Sequence, residues 1–198
     1  MQQMKYKYWC LFLFSFLLFA CQDDDKQRKL EQAKEAQRME VVFNNINRAW
    51  EFHLLPLEPT TQSKINGWMQ WRNLLTEIKQ KPKSTIGAFQ RKATILSKKL
   101  DELALSIPPE FANPAVKSRI TAMNTKIKQL DLFIHLYPIP EKKVIPLISE
   151  IDIILLQLQL QFEEIVHRSQ IPIEEGEEDI IRMKDTTRAI HAAPNELP

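Results

Sequence analysis

Three glycines in 198 residues are too few to turn a chain at the end of every short strand, which argues against a sandwich or barrel of β-hairpins. The same scarcity removes the glycine loops that cradle phosphates and the nucleophile elbow of the hydrolases. Only two cysteines are present, Cys10 and Cys21, so neither a disulfide framework nor a Cys-x-x-Cys-His haem attachment can be built. No uninterrupted apolar run reaches the roughly 20 residues of a membrane span. Charge is nearly balanced, with 27 Lys and Arg against 25 Asp and Glu. No basic and aromatic residues interleave as a nucleic-acid surface would require, and nucleic acid is not expected as a partner.

What remains is helix-forming. Val116, Ile120, Met123, Ile127, Leu130, Ile134 and Tyr137 step by four and three, the spacing of one helical stripe. Ile86, Phe89, Ala93, Leu96, Leu100, Leu103 and Ile107 do the same, as do Ile148, Ile151, Leu155, Leu158, Phe162 and Ile165. Two less regular stripes precede them: Met39, Val42, Ile46, Ala49 and His53, then Ile65, Trp68, Leu75 and Ile78. Prolines fall between the stripes, and Asn113-Pro114 reads as an N-cap followed by proline at the first helical position. The expected fold is all-α, an antiparallel bundle of about five helices near 26–55, 61–81, 84–106, 114–136 and 142–169, with a short peripheral helix at 177–191. Leu156-Gln157-Leu158-Gln159-Leu160-Gln161-Phe162 alternates like a strand, but its flanks keep helical spacing and helix is preferred. As a helix it places Leu156 and Leu160 on a second apolar face, which marks it as the central helix or as one that meets a partner.

The first 25 residues carry a resemblance. Lys5 and Lys7 precede an apolar run of eleven residues from Trp9 to Phe19, followed by Leu18-Phe19-Ala20-Cys21 and then Gln22-Asp23-Asp24-Asp25. This resembles the signal peptide of bacterial lipoproteins. The resemblance implies that residues 1–20 are removed and that Cys21 becomes a lipidated N-terminus carrying acyl chains, palmitate among them. The other reading, an uncleaved signal anchor with Cys21 an ordinary cysteine, would need a run nearly twice as long. Acidic residues directly after the cysteine resemble the surface-export signal of Bacteroidota lipoproteins. They imply an outer-membrane protein, with the cell surface narrowly favoured over the periplasmic face.

Removal of the leader leaves 178 residues with 25 basic and 25 acidic side chains and Cys21 as the sole cysteine. A domain boundary set follows: signal peptide 1–20, lipidated cysteine and charged tether 21–38, bundle 39–170, and an acidic hinge with short helix and tail at 171–198. The tether has almost no apolar residue besides Leu30. It would hold the body about 25 Å from the membrane if helical, and about twice that if extended. Residues 64–143 hold 15 basic against 6 acidic side chains, and residues 144–198 hold 4 against 11. These regions either neutralise each other in the fold or leave Lys79, Lys81, Lys83, Lys98 and Lys99 facing something anionic.

Chemistry is sparse. His53, His135, His167 and His191 lie on different segments, and Glu164-Ile165-Val166-His167 has the Glu-x-x-His spacing of ferritin-type di-iron bundles only once. Neither enzyme activity nor a metal or cofactor is expected. The main expectation is a membrane-anchored helical lipoprotein that acts by binding, as an accessory or scaffold subunit, with the lipid bilayer and an envelope protein as partners. The alternative is a small-ligand or glycan-binding lipoprotein whose site lies between the first two helices, lined by Trp50, Trp68 and Trp71. The same tryptophans fit equally well into a bundle core.

Overall fold

The computed structural model describes residues 21–172 and Arg182, with side chains from residue 25 onward. These residues form an all-α bundle. Its helices are α1 (Cys21–Ala49), α2 (Pro59–Asn66), α3 (Met69–Lys79), α4 (Ile86–Ala104), α5 (Pro114–Ile134) and α6 (Glu141–Gln170), with a 3-10 turn at Pro109–Phe111. The expected helix at 177–191 lies outside the described residues, Arg182 apart, and so does the leader at 1–20.

Periodicity translates directly into burial in the last three helices. Val116, Ile120, Met123, Ile127, Leu130 and Ile134 of α5 are all buried, and Phe89, Ala93, Leu96, Leu100 and Leu103 of α4 face them. Chain direction is fixed by polar ties outside the core. Asp101 of α4 accepts from Asn124 and Lys128 of α5, each at 2.8 Å, and Lys128 more than Asn124 holds its carboxyl below the usual range. Thr94 donates to Asp131, and Gln90 to the Ile134 carbonyl. The α4 numbers fall as the α5 numbers rise, so these helices are antiparallel. Lys126 of α5 pairs with Glu150 of α6 at 2.8 Å, which continues the pattern. It joins the basic 64–143 region to the acidic one after it. Helix starts follow local chemistry. Asn113 accepts from the Val116 amide at 2.9 Å with Pro114 at the first position, and Thr85 caps α4 in the same way.

The centre of the bundle is α6. It packs on α1, α2 and α5 and buries Val144, Leu147, Ile148, Ile151, Leu155, Leu158, Phe162 and Val166. Its length and composition would suffice to cross a membrane, but its apolar side is spent on the core of this bundle. The Leu-Gln alternation is helical throughout.

Boundaries in the first half of the chain differ from expectation, beginning with the start of α1 at Cys21 rather than near residue 26. The segment read as one helix over 61–81 is two, α2 and α3, broken at Gly67 and Trp68. Trp68 takes an extended backbone (φ −83°, ψ 91°), and this break lets Ile65, Trp68, Trp71, Leu74 and Ile78 all reach the core, which a straight helix would not. The first helix stops at Ala49 rather than near residue 55. Beyond it, residues 51–58 run as an extended strap along α6.

The strap is held by side chains. The His53 amide donates to Asp152 Oδ1 at 2.7 Å, and the Glu58 amide donates to Glu163 Oε1 at 2.6 Å. Between them Gln159 makes two bonds to one residue: Oε1 accepts from the Leu55 amide and Nε2 donates to the Leu55 carbonyl, both at 3.1 Å. Rise explains the match. Five extended residues from His53 to Glu58 cover about 16 Å, as do eleven helical residues from Asp152 to Glu163. A column of polar side chains on α6 thus stands in for a neighbouring strand and satisfies backbone groups that no helix could.

Gln159 is 2% exposed and is one of two buried polar residues among those described, the other being Thr61. Replacing it removes both bonds to Leu55. Gln159→Leu is expected to cost about 1–3 kcal/mol in urea denaturation. Gln157→Leu, two residues away on the exposed side of the same alternation, is expected to stay within about 0.5 kcal/mol. Equal effects would refute the assigned role of the strap bond.

Candidate functional site

Trp50, Trp68 and Trp71 do not line an open site. Their exposures are 2%, 3% and 1%, and they belong to two separate aromatic groups. Trp50 meets Phe52 and Phe89 edge-on, at centroid distances of 5.7 and 5.1 Å, and Phe43 joins through Phe89 at 5.8 Å. Trp68 instead stacks on Trp71 and Phe111, while Phe162 stands edge-on to all three at 5.1–5.9 Å. Trp68 Nε1 donates to Ser106 at 3.2 Å. The ring faces are used on one another, as in a packed core. The strap carries the chain from one group to the other: α1 ends on the Phe89 side of the bundle and α2 begins beside Glu163.

Leu156 and Leu160 fall where the helical reading put them, on the side of α6 away from the core. Leu160 is 56% exposed and Leu156 half-buried beside the strap. Ile153, 53% exposed, completes a stripe at spacings of three and seven. Ser149 and His167 extend the same side of the helix with small or polar groups. The stripe is narrow, bordered on one flank by Asp152 and the strap, and on the other by Glu150, Gln157 and Gln161.

His53 lies at that border. It was expected on the core side of a continuing helix, but the helix ends before it and the side chain is exposed. Its Nδ1 is 2.8 Å from Asp152 Oδ2, while Oδ1 of the same carboxylate receives the His53 amide. The hydrogen bond to Asp152, and then the charge attraction, raise the His53 pKa above its ordinary 6.5. The remaining histidines build nothing larger: His135 sits 3.3 Å from Asp131 within one helix end, and among the described residues no group of three His, Cys, Asp or Glu is placed to hold a metal. Glu164 of the Glu-x-x-His spacing pairs with Arg168 at 2.6 Å.

Sequence reasoning missed Asp152, Gln159 and Glu163 as a set. A signal existed in Gln159, which sits four residues after Leu155 on the core side of an otherwise apolar stripe. Such a residue must find partners, and polar residues seven before and four after it share its side of the helix. No protein-family model, curated protein or solved structure matches this chain. The functional reading therefore rests on its own residues.

A protonated His53 is held by Asp152 in the folded chain and is free in the unfolded one. Because its folded pKa is raised, that contribution is complete below about pH 6.5 and is lost as pH rises through the folded value. The stability difference between the parent and His53→Gln is expected to be larger at pH 5.5 than at pH 8.5, with the histidine titrating above 6.5 by NMR. A difference independent of pH would leave only the amide bond to Asp152.

Proposed function

We propose that the chain is a lipid-anchored lipoprotein of the bacterial outer membrane that acts by binding, as an accessory or scaffold subunit of an envelope assembly, and not by catalysis. The observation that carries this reading is the first half of α1. Residues 25–34 are helical and exposed on every side, and the first tie to the bundle comes at Glu35, which accepts from the Tyr137 hydroxyl at 2.6 Å. A helix polar all round gains nothing from burial, so its role is to span a distance. Fourteen residues from Cys21 to Glu35 span about 21 Å. An acylated Cys21 at one end and a closed bundle at the other would form a stiff stand-off. With the leader resembling that of lipoproteins and acidic residues following the cysteine, this supports display at the cell surface.

The partner surface under this reading is the α6 stripe of Ile153, Leu156 and Leu160. In a bundle whose other helices cover its core side, this outward apolar strip is available for a second protein.

Anchoring is tested by fractionation. Cys21→Ser is expected to move the protein from the membrane to the soluble fraction, and continued retention would exclude the lipid anchor. Partner binding is tested by crosslinked purification from native membranes. The double variant Ile153→Glu, Leu160→Glu is expected to lose a stoichiometric partner while stability changes by about 0.5 kcal/mol or less per exposed site. Recovery of the same partner with the variant would remove α6 as the contact.

A further inference from the structure

Where α1 leaves the bundle it passes the turn between α5 and α6, and the two enclose an open groove of about 710 Å³. That volume lies within the range of small-molecule sites. Its rim is cationic: Lys34 and Arg38 come from α1, and Lys142 and Lys143 from the first turn of α6. Its floor is apolar, formed by Val42 and Ile139 with the half-exposed Val41 beside them.

Two acids face the same place, Glu141 in the lining of the groove and Glu35 beside it on α1. Glu35 accepts from Tyr137, and Glu141 accepts from Asn45 Nδ2 at 2.9 Å. These two bonds clamp α1 to the turn on either side of the groove; both carboxylates keep their charge, and four cations against these two acids leave the groove net positive. Lys34, Arg38 and Lys142 have no ion-pair partner among the described residues, and Lys143 lies 5.2 Å over the Phe133 ring. The positive end of the 30-residue α6 points into the same place, and its start has no side-chain cap.

The geometry points to a binding site for a single anionic amphiphile, its phosphate head held by Lys34, Arg38, Lys142 and Lys143 and its alkyl chain laid over Val41, Val42 and Ile139. Four cations around one space, with an arginine fork among them, suit a phosphate. An apolar floor beside them suits a chain that a bare anion lacks.

Two other occupants fail on distance. The acidic segment Glu174–Asp179 follows the far end of α6, about 45 Å away, and nine extended residues after Gln170 reach only about 30 Å. The plane of the bilayer is remote as well. Along α1 the groove lies about 20–30 Å from Cys21, and the helix between has no apolar side to lay it on a membrane. The amphiphile must therefore come to the groove as a monomer.

The test is photolabelling of the full-length protein in phosphatidylcholine nanodiscs, using an alkyl phosphate with a diazirine in its chain and mapping the labelled peptides. Label is expected at Val41 and Ile139, and Arg38→Glu with Lys142→Glu, both exposed, is expected to reduce it at least tenfold. A neutral alkyl glucoside probe should label at most a tenth as well. Labelling unchanged by the double variant, or equal with the glucoside, would overturn the site. Complete displacement by inorganic phosphate at the probe's own concentration would reduce it to an anion site and overturn the amphiphile. Loss of label when anionic lipid is added to the nanodisc would show the bilayer's own headgroups in the groove, and overturn monomer capture. Cys21→Ser protein is expected to label equally, so failure of the anchor and failure of the groove are read separately.

Discussion

The two hydrogen bonds between the Gln159 carboxamide and the Leu55 backbone decide where the chain goes after its first helix. Without a strand partner, an extended segment laid on a helix leaves its amides and carbonyls unpaired, at a cost comparable to several bonds. Asp152, Gln159 and Glu163 remove that cost at three points along the strap. The rest of the architecture hangs on this seam. Because the strap follows α6 from His53 to Glu58, α2 starts beside Glu163, Thr61 donates to that same carboxylate at 2.8 Å, and Trp68 is delivered to Phe162. Because the strap leaves α1 at Ala49, Trp50 turns inward onto Phe89 instead of continuing the helix.

The two ends of the bundle are joined by different kinds of side chain. Around Phe162 the aromatic rings of Trp68, Trp71 and Phe111 pack on one another and are buried. At the other end α1 rises past the α5–α6 turn and touches it through two polar ties, Tyr137 to Glu35 and Asn45 to Glu141. Polar ties across a gap leave concavity between them, whereas interdigitated apolar side chains do not. The groove and the packed tryptophans are two outcomes of one difference, the kind of side chain that joins neighbouring elements.

Charge follows the same division. The cations of the groove gather because α6 begins where α1 and the turn meet, while the acidic side chains nearby are engaged by neutral donors. Lys79, Lys81, Lys83 and Lys98 have no ion-pair partner among the described residues, but they are spread over α3, α4 and the connection between them, and Lys99 pairs with Glu102 at 2.8 Å. Spread cations in water are worth little individually, whereas four around one concavity reinforce one another.

Much of this chain was legible because its signals are local. Spacings of three and four residues put the core faces of α4, α5 and α6 in place, and Asn113-Pro114 marked a helix start. The C-terminal end of α1 and the break between α2 and α3 were not legible, because they depend on partners about a hundred residues away in Asp152, Gln159 and Glu163, and on room for Trp68 beside Phe162. Composition could show that Trp50, Trp68 and Trp71 were available to a core or to a site, but only the fold decided for the core. The groove was invisible for the same reason: Arg38 and Lys142 are 104 positions apart, and their common space exists only once α1 crosses the start of α6. Sequence determines which faces of a helix avoid water, since that is a property of period alone; which two faces meet, and whether they close or leave a gap, is settled by shape across the whole chain.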